Sequence, residues 1–164
     1  MPTTDPTPLL RIDGAVARPL ALTFDDLRRF ADADHVLDMT RFHPTRRGDG
    51  VTLDALLRLA GPEPAANYAT LHAGRDDFHV SVPLAPLRAE AILVYRDGEN
   101  PLTAKEGGPI RLLIRDPKAC ATGELDDCAN VKYLDRIELT SLRGRDTRPA
   151  DEAAHEALHR RQPE

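Results

Sequence analysis

The side chains best equipped for chemistry fall in three groups. His72 and His79 flank the turn-forming run Gly74-Arg75-Asp76-Asp77. Two imidazoles placed this way can meet across a hairpin and share a metal or a proton; two ordinary half-buried histidines are the simpler reading. Arg41, His43, Arg46 and Arg47 crowd one short stretch, where guanidinium groups could hold an anionic ligand or merely balance Asp38 and Asp49. Cys120 and Cys128 stand eight apart beside Gly123 and several acids. Two thiols make half of a structural zinc site, and would need His43, His72 or His79 to complete it. A disulfide across the loop and a pair of plain thiols are the competing readings. No glycine-rich nucleotide loop, Ser–His–Asp order or zinc-protease motif is present in the sequence.

Secondary structure must position these groups. Residues 1–8 are rich in Pro and Thr and read as a loose lead-in. Residues 9–14 read as a strand ending at Gly14. Thr23 is placed to cap a helix carrying Phe24, Leu27 and Phe30, with Asp26 completing a capping box. Residues 35–39 read as a strand and 41–50 as a loop, on the signals Pro44, Gly48 and Gly50. Thr52 caps a second helix with Leu53, Leu56, Leu57 and Ala60 on one face, stopped by Gly61-Pro62. Further strands are expected at 68–72, 78–82, 91–95, 110–114 and 136–139. Residues 143–164 form a charged tail, disordered or a short helix. The domain proper is therefore 9–142. Strands outnumber helices without regular alternation, so the expectation is a mixed, mostly antiparallel, β-rich α/β domain of the α+β type.

Composition narrows the functions. A chain of 164 residues suits one domain. Its formal net charge of -5 argues against general nucleic-acid binding. The start has no basic segment followed by an apolar one, and no apolar run reaches membrane-spanning length, so a soluble cytoplasmic protein that binds no membrane is expected. Arginine outnumbers lysine 19 to 3, which a coding bias explains as readily as a functional choice.

The ordered set of segments over roughly 9–140 resembles the molybdopterin-binding domain of the sulfite oxidase family. Residues 10–16 with Pro19-Leu20 and Leu22-Thr23 resemble its opening strand, turn and helix. Gly50-Val51-Thr52-Leu53 resembles the segment after the cofactor cysteine. Gly74-Arg75-Asp76-Asp77-Phe78 with Ser81-Val82-Pro83-Leu84 is similar to its Asp-Gly-Tyr turn and Ser-(apolar)-Pro-Leu. Residues 91–95 with Gly98 and Pro101-Leu102, then Gly108-Pro109-Ile110-Arg111, then Asn130-Val131-Lys132-Tyr133-Leu134, follow in the family's order.

The resemblance implies an oxidoreductase domain using molybdopterin, and it also marks departures. The family's molybdenum-binding cysteine is expected about a dozen residues before Gly50, where Asp38 stands. A carboxylate and a thiolate are electronically different ligands. Asp38 is thus the candidate for the catalytic position, as a metal ligand or acid, against a plain turn-capping carboxylate. The family's Arg-Asn stretch before the first strand is missing, and Glu106-Gly107 replace a frequent histidine. The phosphate end is retained: Lys132 matches the family lysine facing the pterin phosphate, with Arg111, Asn130, His43 and Arg47 as further candidate cofactor contacts. Two readings follow. One is a molybdopterin-dependent oxidoreductase domain degenerate at its metal site. The other is a non-catalytic module on that scaffold, binding a small anion, a pterin or a protein.

Overall fold

In the computed structural model, residues 7–41, 47–115 and 131–146 are described. Two five-stranded sheets carry the fold. The first contains β1 (Leu10–Gly14), β2 (Leu20–Leu22), β5 (Tyr68–Ala73), β6 (Phe78–Pro83) and β10 (Arg136–Thr140), in the order β2-β1-β10-β5-β6. The second contains β3 (His35–Val36), β4 (Asp49–Thr52), β7 (Ala91–Asp97), β8 (Asn100–Pro101) and β9 (Arg111–Ile114); β7 pairs with β4, β8 and β9. Every pairing is antiparallel except β1 with β10. The mixed, mostly antiparallel architecture expected from the sequence is the one found.

Alternation along the strands sets the core. Leu10 and Ile12 of β1, and Ile137 and Leu139 of β10, are buried, with Arg11, Asp13, Arg136, Glu138 and Thr140 alternating between and beside them; Leu71 of β5 is buried with them. They pack into one cluster with Val51, Leu93, Tyr95 and Leu112 of the second sheet. The second sheet is buried on its other face too, where Ile92, Val94 and Leu113 meet Met39 and Leu102.

Three helices close the core. Helix α1 (Phe24–Arg28) starts from the expected box: Thr23 Oγ1 accepts from the Asp26 amide, and the Asp26 carboxylate accepts from the Thr23 amide. Helix α2 (Leu53–Ala60) is capped by Thr52 and ends at left-handed Gly61. Helix α3 (Leu84–Glu90), with Leu84 and Leu87 buried, went unanticipated because a seven-residue segment with two leucines gives no readable periodicity.

Strand β4 begins inside the stretch read as a loop, at Asp49 and Gly50. Gly48 and Gly50 look like turn residues, yet Gly50 marks a close approach between strands. A Cβ there would stand 2.6 Å from both Ile92 Cγ2 and the Leu93 carbonyl oxygen. The strand expected at 35–39 stops at Val36, and residues Met39–Arg41 form one 3-10 turn instead.

Ile137 is fully buried at the centre of the parallel pair, opposite Ile12. Ile137→Ala is expected to cost about 2–5 kcal/mol, read from urea denaturation. A loss under about 1 kcal/mol would show that the first sheet is not the stability-determining layer.

Candidate functional site

Two of the sequence candidates meet over a glycine. Gly107 has φ 90°, and a Cβ built there would fall 3.1 Å from Lys132 Cγ, 3.3 Å from Arg111 Cδ and 3.4 Å from Arg111 Nη1. The stems of both cations therefore pack against this one backbone position. Arg111 begins β9, which holds Lys132 close through reciprocal bonds one residue along. The Leu112 amide donates to the Val131 carbonyl at 2.9 Å, and the Val131 amide donates to the Leu112 carbonyl at 3.1 Å. The Tyr133 amide donates to the Gly107 carbonyl at 2.8 Å, and Arg111 Nη1 donates to the Glu106 carbonyl at 3.3 Å. Tyr133 takes a left-handed backbone, φ 57°, with the Arg75 guanidinium 4.4 Å from its ring centroid.

Glu106 ends a one-turn 3-10 helix, Ala104–Glu106, through a capping box with Thr103. Bonds from the Thr103 amide and hydroxyl hold its carboxyl below the ordinary value of 4.5, helped by Asp97 and by the charge of Arg47. Arg47 acts on Asp38 as well. The charge of this arginine thus favours the ionised form of both acids.

Asp38 itself is exposed and left-handed, φ 60°. Its Oδ1 accepts from the Thr40 amide at 3.1 Å and from the Thr40 hydroxyl. Its own amide donates to Asp49 Oδ1 at 2.9 Å. The carboxylate closes an Asx turn, which is what ends the preceding strand. The Thr40 hydroxyl, then the Thr40 amide, then the charges of Arg41 and Arg47 hold its pKa below the ordinary 3.8. Beneath the turn, Met39 is fully buried and its amide donates to the Gly48 carbonyl at 2.9 Å.

Arg111, Lys132, Arg47 and Asp38 are thereby placed. His43 and Asn130 lie outside the described residues, as do Cys120 and Cys128. Sequence reading underrated Glu106 and Gly107, which were noted only as replacing a histidine. The signal was present: Thr103-x-x-Glu106 is a capping-box pattern, and a glycine follows it. Among the described residues, no group of three or more His, Cys, Asp or Glu side chains could hold a metal ion. No helix among them is long and apolar enough to cross a membrane.

Comparison with known proteins agrees with the fold. Residues 44–146 match the family model described as oxidoreductase molybdopterin binding domain. Among solved structures, the crystal structure of the sulfane dehydrogenase SoxCD from Paracoccus pantotrophus is similar in fold, with a TM-score of 0.61 at 22% identity. The match covers 82% of this chain and 38% of that one, so this chain spans well under half the length of its neighbour. The curated proteins give no match.

Because the folded pKa of Asp38 lies below its unfolded value, its contribution to stability is complete above about pH 5 and is lost as pH falls through the folded value. Asp38→Asn should keep the Asx turn, since Asn tolerates the left-handed backbone and retains a side-chain acceptor. The stability gap between wild type and variant, read by urea denaturation, should be constant above about pH 5 and shrink below about pH 4. A gap independent of pH would remove the ionic role assigned to this carboxylate.

Proposed function

Since the chain belongs to the oxidoreductase molybdopterin-binding domain family, we propose that it retains the family's grip on the phosphate end of a pterin cofactor and has lost the thiolate-anchored metal chemistry. The observation that carries this reading is the convergence of Lys132 and Arg111 on Gly107, with Arg47 nearby in the electrostatic sense. Lys132 supplies a compact ammonium and Arg111 a planar guanidinium. Charge-assisted bonds from such groups suit a phosphate monoester.

The donor set fits the two ends of the cofactor unequally. Its phosphate end meets cations. Its molybdenum end would meet Asp38, a hard carboxylate already committed to the Thr40 amide and hydroxyl. Oxygen-atom transfer needs an open, electronically tuned metal position, so no such step is assigned to this chain. The cations recognise phosphate and do not by themselves distinguish a pterin from another small phosphorylated ligand. A non-catalytic anion-binding module on the same scaffold is therefore the second reading.

Three measurements test the proposal. Full-length protein purified from molybdenum-supplied cells should carry no stoichiometric molybdenum and no visible absorption band; stoichiometric metal would overturn the degenerate-site reading. Lys132→Ala should weaken binding of molybdopterin, or of inorganic phosphate as the simpler probe, by about 10–100-fold, the size of a lost charge-assisted hydrogen bond. An unchanged affinity would discard the cradle. Binding of inorganic phosphate with indifference to the pterin would favour the second reading.

A further inference from the structure

A second polar cluster lies away from this cradle, on the first sheet. His72 and His79 are direct cross-strand partners of β5 and β6. Their Nδ1 atoms are 2.7 Å apart. The outer nitrogens are engaged as well: His72 Nε2 lies 3.1 Å from Glu138 Oε1, and His79 Nε2 lies 2.9 Å from Asp77 Oδ1. Both imidazoles are largely buried, with side chains 14% and 10% exposed.

Hydrogen-bond direction fixes the proton count. A carboxylate only accepts, so each Nε2 must carry a proton. The inner contact then needs one N–H donor and one lone pair. No proton there would set two lone pairs face to face, and two would set N–H against N–H. Three protons on two rings make one imidazole and one imidazolium, with a single positive charge between them. We propose that His72 and His79 form one proton-binding site, a dyad holding a single proton between its two Nδ1 atoms, whose occupancy keeps residues 143–146 seated on the edge of the first sheet.

Charged groups line this face of the sheet. Arg136 of β10 is bound to Asp13 of β1 at 2.9 Å and reaches Glu138 at 3.5 Å. Beyond the dyad, Arg145 reaches Asp77 at 3.3 Å. Arg11 of β1 is the register partner of Arg136. With Arg11, three guanidiniums stand against Asp13, Glu138 and Asp77, so the proton count rests on hydrogen-bond direction and not on the charge of the row. Contact with His79, then the charge of Arg145, holds the Asp77 carboxyl below its ordinary value, which keeps it an acceptor.

The same row ends on the segment it would control. The Gly144 amide donates to Ser81 Oγ at 2.8 Å, and the Ser81 amide donates to Asp146 Oδ2 at 3.1 Å. Ser81 is two residues from His79, on an edge strand, and its hydroxyl also accepts from the buried Thr70 hydroxyl at 3.2 Å. Arg143 pairs with Asp146 at 3.2 Å. Removing the shared proton would drive the rings apart. His79 would then leave Asp77, and the Asp77–Arg145 contact and the Ser81 contacts would loosen together. This inference is independent of the phosphate cradle, so either can fail alone.

Imidazole 1H–15N correlation spectra of the full-length 15N-labelled protein test it. Where the dyad is occupied, both Nε2 atoms should be protonated, with one downfield proton shared by the two Nδ1 atoms. As pH is raised and that resonance disappears, amide-exchange protection at Gly144 and Ser81, corrected for intrinsic base catalysis, should fall with it. His79→Asn places a neutral amide near the former Nδ1; it should abolish the shared resonance and make protection at Gly144 indifferent to pH. The proposal is overturned by two unprotonated Nδ1 atoms at every pH where the fold persists, or by protection that ignores loss of the resonance. Equimolar zinc chloride that displaces the proton at neutral pH would also overturn it, by making the pair a metal site.

Discussion

One missing methyl group governs the candidate site. At Gly107 the backbone is left-handed, and the space a Cβ would fill is bounded by Lys132 and Arg111. A side chain here would meet two penalties, the φ of 90° and the crowding at 3.1–3.4 Å. Glycine removes both, so two cations can share one short stretch of chain. Like charges repel, and the arrangement is held by what surrounds it. The Tyr133 amide binds the Gly107 carbonyl, Arg111 binds the Glu106 carbonyl, and the Glu106 carboxylate is kept ionised by Thr103. Backbone bonds supply the position, and the acid moderates the repulsion.

The position of the expected thiolate shows the complementary effect. Asp38 does local structural work that a cysteine would do poorly. Aspartate tolerates the left-handed backbone better than most residues and can accept hydrogen bonds from the residue two ahead. Here it accepts from Thr40 while its amide is held by Asp49. Asp49 is tied in turn to Arg96 of β7 at 3.4 Å. Through its amide, Asp38 is thus tied to the network that anchors the turn to the second sheet. A thiolate at 38 would have to satisfy the Thr40 amide with a weak acceptor at unfavourable φ. The hydrogen bonds of the turn account for an aspartate at this position.

Much of the fold was legible because its signals are local. Thr23 with Asp26, and Thr52 with Gly61, mark two helices through capping chemistry that needs no tertiary partner. The strands at 68–73, 78–83 and 91–97 are apolar runs bounded by turn residues. What escaped was set by distant contacts. Gly48 and Gly50 look like loop residues until strand β7 is laid against them, and α3 is too short to show a period. The site divides the same way. Lys132 taken alone is an ordinary surface lysine, and only the family's order of segments pointed to it. Its nearness to Arg111 depends on the reciprocal bonds between Leu112 and Val131, which no spacing rule reveals. His72 and His79 could be paired from the turn between them, but their outer carboxylates could not. Glu138 arrives from β10, 66 residues away in sequence from His72.

The acidic balance of the chain does not oppose an anion site at Lys132. A formal charge of -5 spread over the surface is screened within about 8 Å at physiological ionic strength, so groups within a few contacts decide the local potential. Around Gly107 those groups are Lys132 and Arg111, with the Glu106 carboxyl beside them under the influence of Asp97 and of the charge of Arg47. Lys132 and Arg111 bring two positive charges to one short stretch of chain. They can match one phosphate group, and they are too few to neutralise a polyanion whose charges continue beyond the cradle into acidic surroundings. On the proposed reading, the cluster suits a compact ligand with one phosphate at its end rather than nucleic acid. That preference comes from short-range geometry, since the same cations dispersed over an acidic surface would not converge on one phosphate.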